Sequence, residues 1–144
     1  MKTVVIDANI GLSYAIPLSY SSEAIALINQ WRVDKVRIIV PLLWYYEVLS
    51  GLRKAIAHRL ISQEKALDAI NAFQDMAFEE YHPAPGIEVE ILEWAERIDQ
   101  IVAYDAVYLA LSEQLDAEFW TADRRLVNAA RQAGADWIYP VGVV

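Results

Sequence analysis

Cysteine is absent from the 144 residues, histidine occurs twice, and glycine and proline occur five times each. Without cysteine there is neither a disulfide framework nor a thiolate metal site, and two histidines are too few for an ordinary zinc centre. So few chain breakers, beside a hydrophobic fraction of 56%, exclude a disordered chain. Long apolar runs are missing too. The longest, IIVPLLWYY over residues 38 to 46, is interrupted by Pro41 and falls far short of a membrane span. The N-terminus runs almost directly into a strand-like segment, without the basic, apolar and small-residue regions of a signal peptide. Together these features predict a soluble, cytoplasmic protein that does not engage a membrane. Positive charge is scarce as well: 12 Lys and Arg stand against 20 Asp and Glu, a formal net charge of −8. Nucleic-acid binding normally needs a basic footprint, so that balance argues against such a partner unless the acids have another use.

What is present reads as one α/β domain over residues 1 to 144, with no repeat, charge block or low-complexity linker to divide it. Strand-like segments recur at residues 3–7, 37–41, 77–82, 118–121 and 137–141. Between them lie helical patterns at 8–16 and 21–33, broken around Pro17, and at 42–60, 62–76, 86–101, 105–116 and 124–133. Ser21 or Ser22 can cap the second helix, Ser62 the fourth, and Gly134 closes the last. Strands alternating with helices imply a mostly parallel sheet of about five strands with helices on both faces, and ligands at the strand ends.

Four acids occupy such places. VVIDANI (residues 4–10) runs three β-branched residues straight into Asp7, and FWTADRRL (119–126) ends a short apolar strand before Asp123. Each also fits a helix N-cap, worth ~1 kcal/mol. Asp105 opens the helix in VAYDAVYLALSEQ, whose Val107, Leu111 and Leu115 form an apolar stripe; Asp105 shares a face with Ser112 away from it. In LLWYYEVLSGLRKAIAHRL the wheel puts Tyr45, Leu49, Leu52, Ile56 and Leu60 on one side, to be buried. Glu47, Ser50, Gly51, Lys54 and His58 lie on the other, and the small residues beside the acid leave room for an approaching group.

If these carboxylates converge, each pair ~4 Å apart repels by ~4 kcal/mol at an effective dielectric near 20. Such a cluster must take up protons or bind a cation, and oxygen-only ligands select hard ions such as Mg²⁺ or Mn²⁺. Two divalent ions would halve the net charge of −8. The acidity would then be in part a metal site without its metal.

VVIDANI, YEVLSGLRKA, AYDAVYLALSEQ and FWTADRRL resemble, in order and spacing, the four acidic motifs of PIN-domain ribonucleases. Over essentially the whole chain the pattern is similar to the VapC-type toxins of prokaryotic type II toxin–antitoxin pairs. It departs at Ala103 and Tyr104, where an acid is common, and at Asn9, where Ser or Thr is frequent. The resemblance implies a PIN-like three-layer α/β/α fold and a Mg²⁺ or Mn²⁺ centre at Asp7, Glu47, Asp105 and Asp123, with Asn9 and Thr121 behind them. It also implies hydrolysis of RNA phosphodiester bonds, a cognate antitoxin and a homodimer. The cations Arg53, Lys54, His58, Arg59, Arg124 and Arg125 are candidates for holding RNA, although cations also favour helix C-termini on their own account. Aromatics such as Trp31, Trp44, Tyr45, Tyr46, Trp94 and Trp120 fit the core or a protein interface. Two rival readings use the same acids. A haloacid-dehalogenase-like phosphatase also starts with an apolar strand ending in Asp, but wants a second acid where Asn9 stands. A non-catalytic RNA- or protein-binding module would keep the acids as caps.

Overall fold

The computed structural model describes residues 2–142. Among them are five strands, β1 (Thr3–Ile6), β2 (Arg37–Val40), β3 (Glu79–Glu80), β4 (Glu118–Thr121) and β5 (Ile138–Pro140). Seven helices alternate with these: α1 (Ala8–Leu12), α2 (Ser21–Val33), α3 (Leu42–Ala57), α4 (Gln63–Met76), α5 (Ile87–Arg97), α6 (Tyr104–Gln114) and α7 (Arg124–Gln132). The sheet runs in the order β3-β2-β1-β4-β5 with every described pairing parallel. Val4, Val5 and Ile6 of β1 are all fully buried, although successive side chains point to opposite faces. Helices must therefore cover both sides, the three-layer α/β/α arrangement that the strand–helix alternation predicts.

The chain winds outward from β1 in two directions, through β2 to β3 on one side and through β4 to β5 on the other. The order reverses between β1 and β4, and the crevice outside the carboxyl ends of two such strands is where open parallel sheets bind ligands. Asp7 follows β1 directly and its N–H continues the ladder to the Trp120 carbonyl at 2.9 Å. Thr121 ends β4 and Asp123 follows two residues later. The edge strand β3 is cut to two exposed glutamates, and Arg37 of β2 grips Glu79 with two bonds of 2.8 and 3.1 Å. A short, charged edge of this kind discourages pairing with another chain.

Several elements differ from the sequence reading. The helix expected at 8–16 stops at Leu12, and the one expected to reach residue 101 stops at Arg97, two residues before Asp99 takes a left-handed φ of 56°. Arg59, at φ 59°, likewise follows the early end of α3. Ser62 caps α4 by accepting the Lys65 N–H at 3.1 Å, but α2 has no side-chain cap. Ser21 is its first residue, and its hydroxyl instead ties the preceding turn by donating to the Ile16 carbonyl and accepting the Leu18 N–H.

The buried face of α3 is also not the expected one. Trp44, Val48, Leu52 and Ala55 are buried, whereas Leu49 and Leu60 are exposed and Tyr45 and Ile56 only half-buried. This helix is apolar on more than one side, and the side that admits the Trp44 indole, packed edge-on to Phe73 and Phe78, wins. Gly51 serves that packing and not an open approach: a Cβ there would stand 2.6 Å from a Leu12 methyl of α1. In α6 the face that Asp105 shares with Ser112 is closed at Ser112. Ser112 is fully buried and donates to the Tyr108 carbonyl, while Val107 and Leu115 are only half-buried.

Candidate active site

Asp7 is the centre of the carboxyl-end crevice, and only 7% of it is exposed. Its Oδ1 accepts the Ala8 N–H at 2.7 Å, so it does cap α1, and its Oδ2 accepts the Thr121 hydroxyl at 2.8 Å. Asn9 ties the two strand ends together. Its amide donates to Thr121 Oγ1 at 3.1 Å and, more weakly, to Asp7 Oδ2 at 3.4 Å, while its Oδ1 accepts the Ala122 N–H at 3.1 Å. Tyr20 donates to the Asn9 carbonyl at 2.9 Å and fixes the same turn from the far side.

Two further acids come from α3 and α6. Glu47 is half-buried, and its Oε1 accepts the Tyr108 hydroxyl at 2.6 Å. Tyr108 is fully buried and stacked 5.4 Å from the Phe119 ring of β4, so its hydroxyl is held at one place. Asp105 lies in the first turn of α6 without capping it, since the cap position is Ala103. Its Oδ2 accepts the Gln100 amide at 2.8 Å. Tyr108 and Gln100 escaped the sequence reading because an apolar stripe treats a tyrosine as core, and because the pattern runs residues 86–101 as one helix, placing Gln100 inside it instead of in the loop before α6. The signal that could have found Tyr108 is its place three residues after Asp105 on one helix, within a turn of the acid.

The electrostatics show that these acids share one neighbourhood. Burial pushes the Asp7 carboxyl up from 3.8 to about 7; the Thr121 hydrogen bond opposes that, and the charges of Asp105 and Glu47 add to it. Glu47 is raised by burial and by the Asp105 charge against the pull of Tyr108. Asp105 is raised by burial and by the Asp123 charge against the pull of Gln100. Burial, followed by the charges and hydrogen bond of these same acids, holds the Tyr108 hydroxyl far above its ordinary range, so it stays a donor. Asp123 is the outlying member: it is exposed and caps α7 by accepting the Leu126 N–H at 3.2 Å. Thr121 Oγ1 accepts the Asp123 N–H at 3.0 Å, which links it back to Asp7.

None of the four is ion-paired among the described residues. The ion pairs among the described residues join Lys2 to Glu118, Arg37 to Glu79 and His82 to Glu80, all away from the crevice. Asp7, Glu47 and Asp105 are each oriented by a neutral donor, Thr121, Tyr108 and Gln100 respectively. Among the described residues no three acids or histidines already stand close enough to enclose a metal ion. A hard cation held by these oxygens would need waters to complete its shell, as Mg²⁺ usually keeps several. The cations named from sequence, Arg53, Lys54, His58 and Arg59 on α3 or just after it and Arg124 and Arg125 on α7, are all exposed. Arg124 spends one donor on the Gly142 carbonyl at 2.9 Å.

A family model described as PIN domain matches residues 5–133. The chain is 30% identical over 115 residues to VapC ribonuclease Mb0985 of Mycobacterium bovis, across 77% of this chain and 87% of that protein. The same figures hold for Ribonuclease VapC9 of Mycobacterium tuberculosis. Ribonuclease VapC1 of the same species is 32% identical over 84 residues, 58% of this chain and 60% of that one. Among solved structures, PAE2754 from Pyrobaculum aerophilum shares the fold with a TM-score of 0.65 at 20% identity, covering 89% of this chain and 86% of that one.

Proposed function

We propose, from the premise that this chain belongs to the PIN-domain family and to its VapC ribonucleases, that it is a Mg²⁺- or Mn²⁺-dependent endoribonuclease, the toxin of a toxin–antitoxin pair. The observation that carries this is the set of three acids, Asp7 buried and Glu47 and Asp105 half-buried, oriented by neutral donors and paired with no cation among the described residues. Burying carboxylates without a counter-charge is costly unless they are protonated or bind a metal. An all-oxygen donor set fits a hard divalent ion, with Asp7 and Asp105 as direct ligands and Glu47 and Asp123 binding directly or through water. Such an ion, when bound, supplies charge neutralisation at the scissile phosphate and a more acidic attacking water.

The rest falls to the chain's own residues. Thr121 and the Ala8 N–H fix both oxygens of Asp7, so that carboxylate cannot swing. Gln100 and Tyr108 hold one oxygen each of Asp105 and Glu47. Lys54 and His58 continue the Glu47 side of α3 in helical steps and offer exposed charge to the RNA backbone. An antitoxin partner and a homodimer belong to the same reading. No helix among the described residues is long and apolar enough to cross a membrane.

The test is thermal unfolding with and without Mn²⁺, paired with RNA cleavage. At a hundred times its dissociation constant an ion adds roughly 2.7 kcal/mol, a rise of roughly 5 to 10 °C for a domain of this size. We expect that rise and metal-dependent RNA cleavage in the wild type, and loss of both in Asp7→Asn. An unshifted midpoint at millimolar Mn²⁺ would favour the non-catalytic module.

A further inference from the structure

Beside Glu47 the surface opens into a cleft of about 410 Å³ lined by Leu43, Tyr46, Glu47, Ser50 and Tyr104. Leu43, Tyr46, Glu47 and Ser50 follow the i, i+3, i+4, i+7 spacing of one α3 face, so the acid stands in the middle of the stripe that forms the wall. Tyr104, the first residue of α6, supplies an aromatic ring from the other element and immediately precedes Asp105. Both rings are open to solvent, Tyr46 by 62% and Tyr104 by 58%.

The other six tyrosines each pack against an aromatic ring or donate a hydrogen bond, although the Tyr14 hydroxyl has no partner among the described residues. Of the eight tyrosines, Tyr14, Tyr45 and Tyr139 pack against other aromatic rings, and Tyr20, Tyr81 and Tyr108 donate hydrogen bonds. Among the described residues the Tyr46 and Tyr104 side chains have no aromatic neighbour and no hydrogen bond, and both line the cleft beside Glu47. We infer that Tyr46 and Tyr104 form a stacking subsite for an unpaired nucleobase of single-stranded RNA, next to the phosphate being cut. This inference rests on the nuclease reading and narrows its substrate.

Charge favours a base over other occupants. The lining residues Leu43, Tyr46, Ser50 and Tyr104 offer no cation to a phosphate, and Glu47, the one charged member of the lining, is taken up by the ion, whereas a base presents a neutral face to the rings. Stacking on aromatic rings tolerates any base and requires that base to be free of a duplex. Ser50 offers a hydroxyl for the base edge or the ribose. Since phosphate contacts make binding salt-steep and stacking does not, this subsite gives an acidic protein a salt-tolerant hold on its substrate.

The test uses short single-stranded RNAs carrying 2-aminopurine, mixed with the full chain and Mn²⁺, with fluorescence read before cleavage and product read afterwards. The wild type should quench the probe at one position near the cut. Tyr46→Phe and Tyr104→Phe should keep the quench, whereas Tyr46→Ala and Tyr104→Ala should weaken binding roughly tenfold or more. Replacing the stacked base by an abasic ribose should weaken the wild type equally and the Ala variants no further. Cleavage without quenching, or an equal loss for the Ala variants on base-bearing and abasic RNA, would overturn the subsite while leaving the nuclease intact. Quenching without cleavage would overturn the nuclease and leave the subsite. If light scattering shows a dimer that Tyr46→Ala or Tyr104→Ala dissolves, the rings cover a second copy of this chain and the inference fails.

Discussion

Asp7 does two jobs that oppose one another. As a cap it wants to be charged, and as a buried group beside Glu47 and Asp105 it resists charging, which lifts it from 3.8 to about 7. In the metal-free protein this has a signed consequence. Below about pH 4 the folded and unfolded chains both hold the proton; between there and pH 7 only the folded one does. Stability therefore falls as pH rises through that window, by about 4 kcal/mol in all from this residue. With a chelator present, the wild type should melt progressively lower from pH 5 to 8, and Asp7→Asn should flatten that slope; equal slopes in the two proteins would contradict the assignment. Tyr108 gives a second residue-scale prediction. Removing its hydroxyl in Tyr108→Phe leaves the fold and releases Glu47, so Mn²⁺ affinity should drop roughly 10- to 100-fold while the metal-free midpoint moves little. A calorimetric titration that finds unchanged affinity would deny Tyr108 that positioning role. Asp7 and Asp123 were legible from sequence because a carboxylate after an apolar strand is conspicuous, and Glu47 and Asp105 from their places on helix faces. Their holders Tyr108 and Gln100 were not: the Tyr108–Glu47 bond joins α6 to α3 without a linear signature, and Gln100 reaches Asp105 from a loop that the sequence pattern reads as helix.

Helix α3 shows where pattern reading fails at the scale of the element. LLWYYEVL is apolar on several sides, so spacing alone cannot choose between the Tyr45–Leu49 side and the Trp44–Val48 side; the volume of Trp44 decides it. Strands and their order of appearance were legible, since β-branched runs between turns leave little choice, whereas helix ends were not, being set by left-handed residues such as Asp99 and Arg59. The α1–α3 contact depends on two glycines, and it ranks their replacement. A Cβ on Gly11 would lie 2.5 Å from the buried Trp44 ring, while one on Gly51 meets only the movable methyls of Leu12. Gly→Ala in a helix interior gains up to ~1 kcal/mol of propensity, set against overpacking of ~1 to 3 kcal/mol. Gly11→Ala should therefore destabilise clearly, and Gly51→Ala should fall near neutral. Urea melts that reverse the order would mean α1 and α3 do not approach as described.

For the whole molecule the net charge of −8 becomes intelligible as uneven charge and not as uniform repulsion. Four acids gather around the β1–β4 crevice, and exposed cations sit on α3, just after it and on α7. RNA binding should then depend on a few cations: Lys54→Ala should weaken it at low salt and reduce the salt slope by about one. A slope identical to that of the wild type would remove Lys54 from the interface. The family and the parallel α/β architecture were readable from sequence, because Asp7 and Asp123 follow the ends of their strands and helices in between carry Glu47 and Asp105; the strand order β3-β2-β1-β4-β5 was not. The central claim is that these acids bind a divalent ion at the sheet's carboxyl edge, and anomalous diffraction from crystals grown with Mn²⁺ tests it most directly. A manganese peak within coordinating reach of Asp7 and Asp105 is the expected result. Diffraction of equal quality with no peak there, at Mn²⁺ concentrations that support RNA cleavage, would contradict the account.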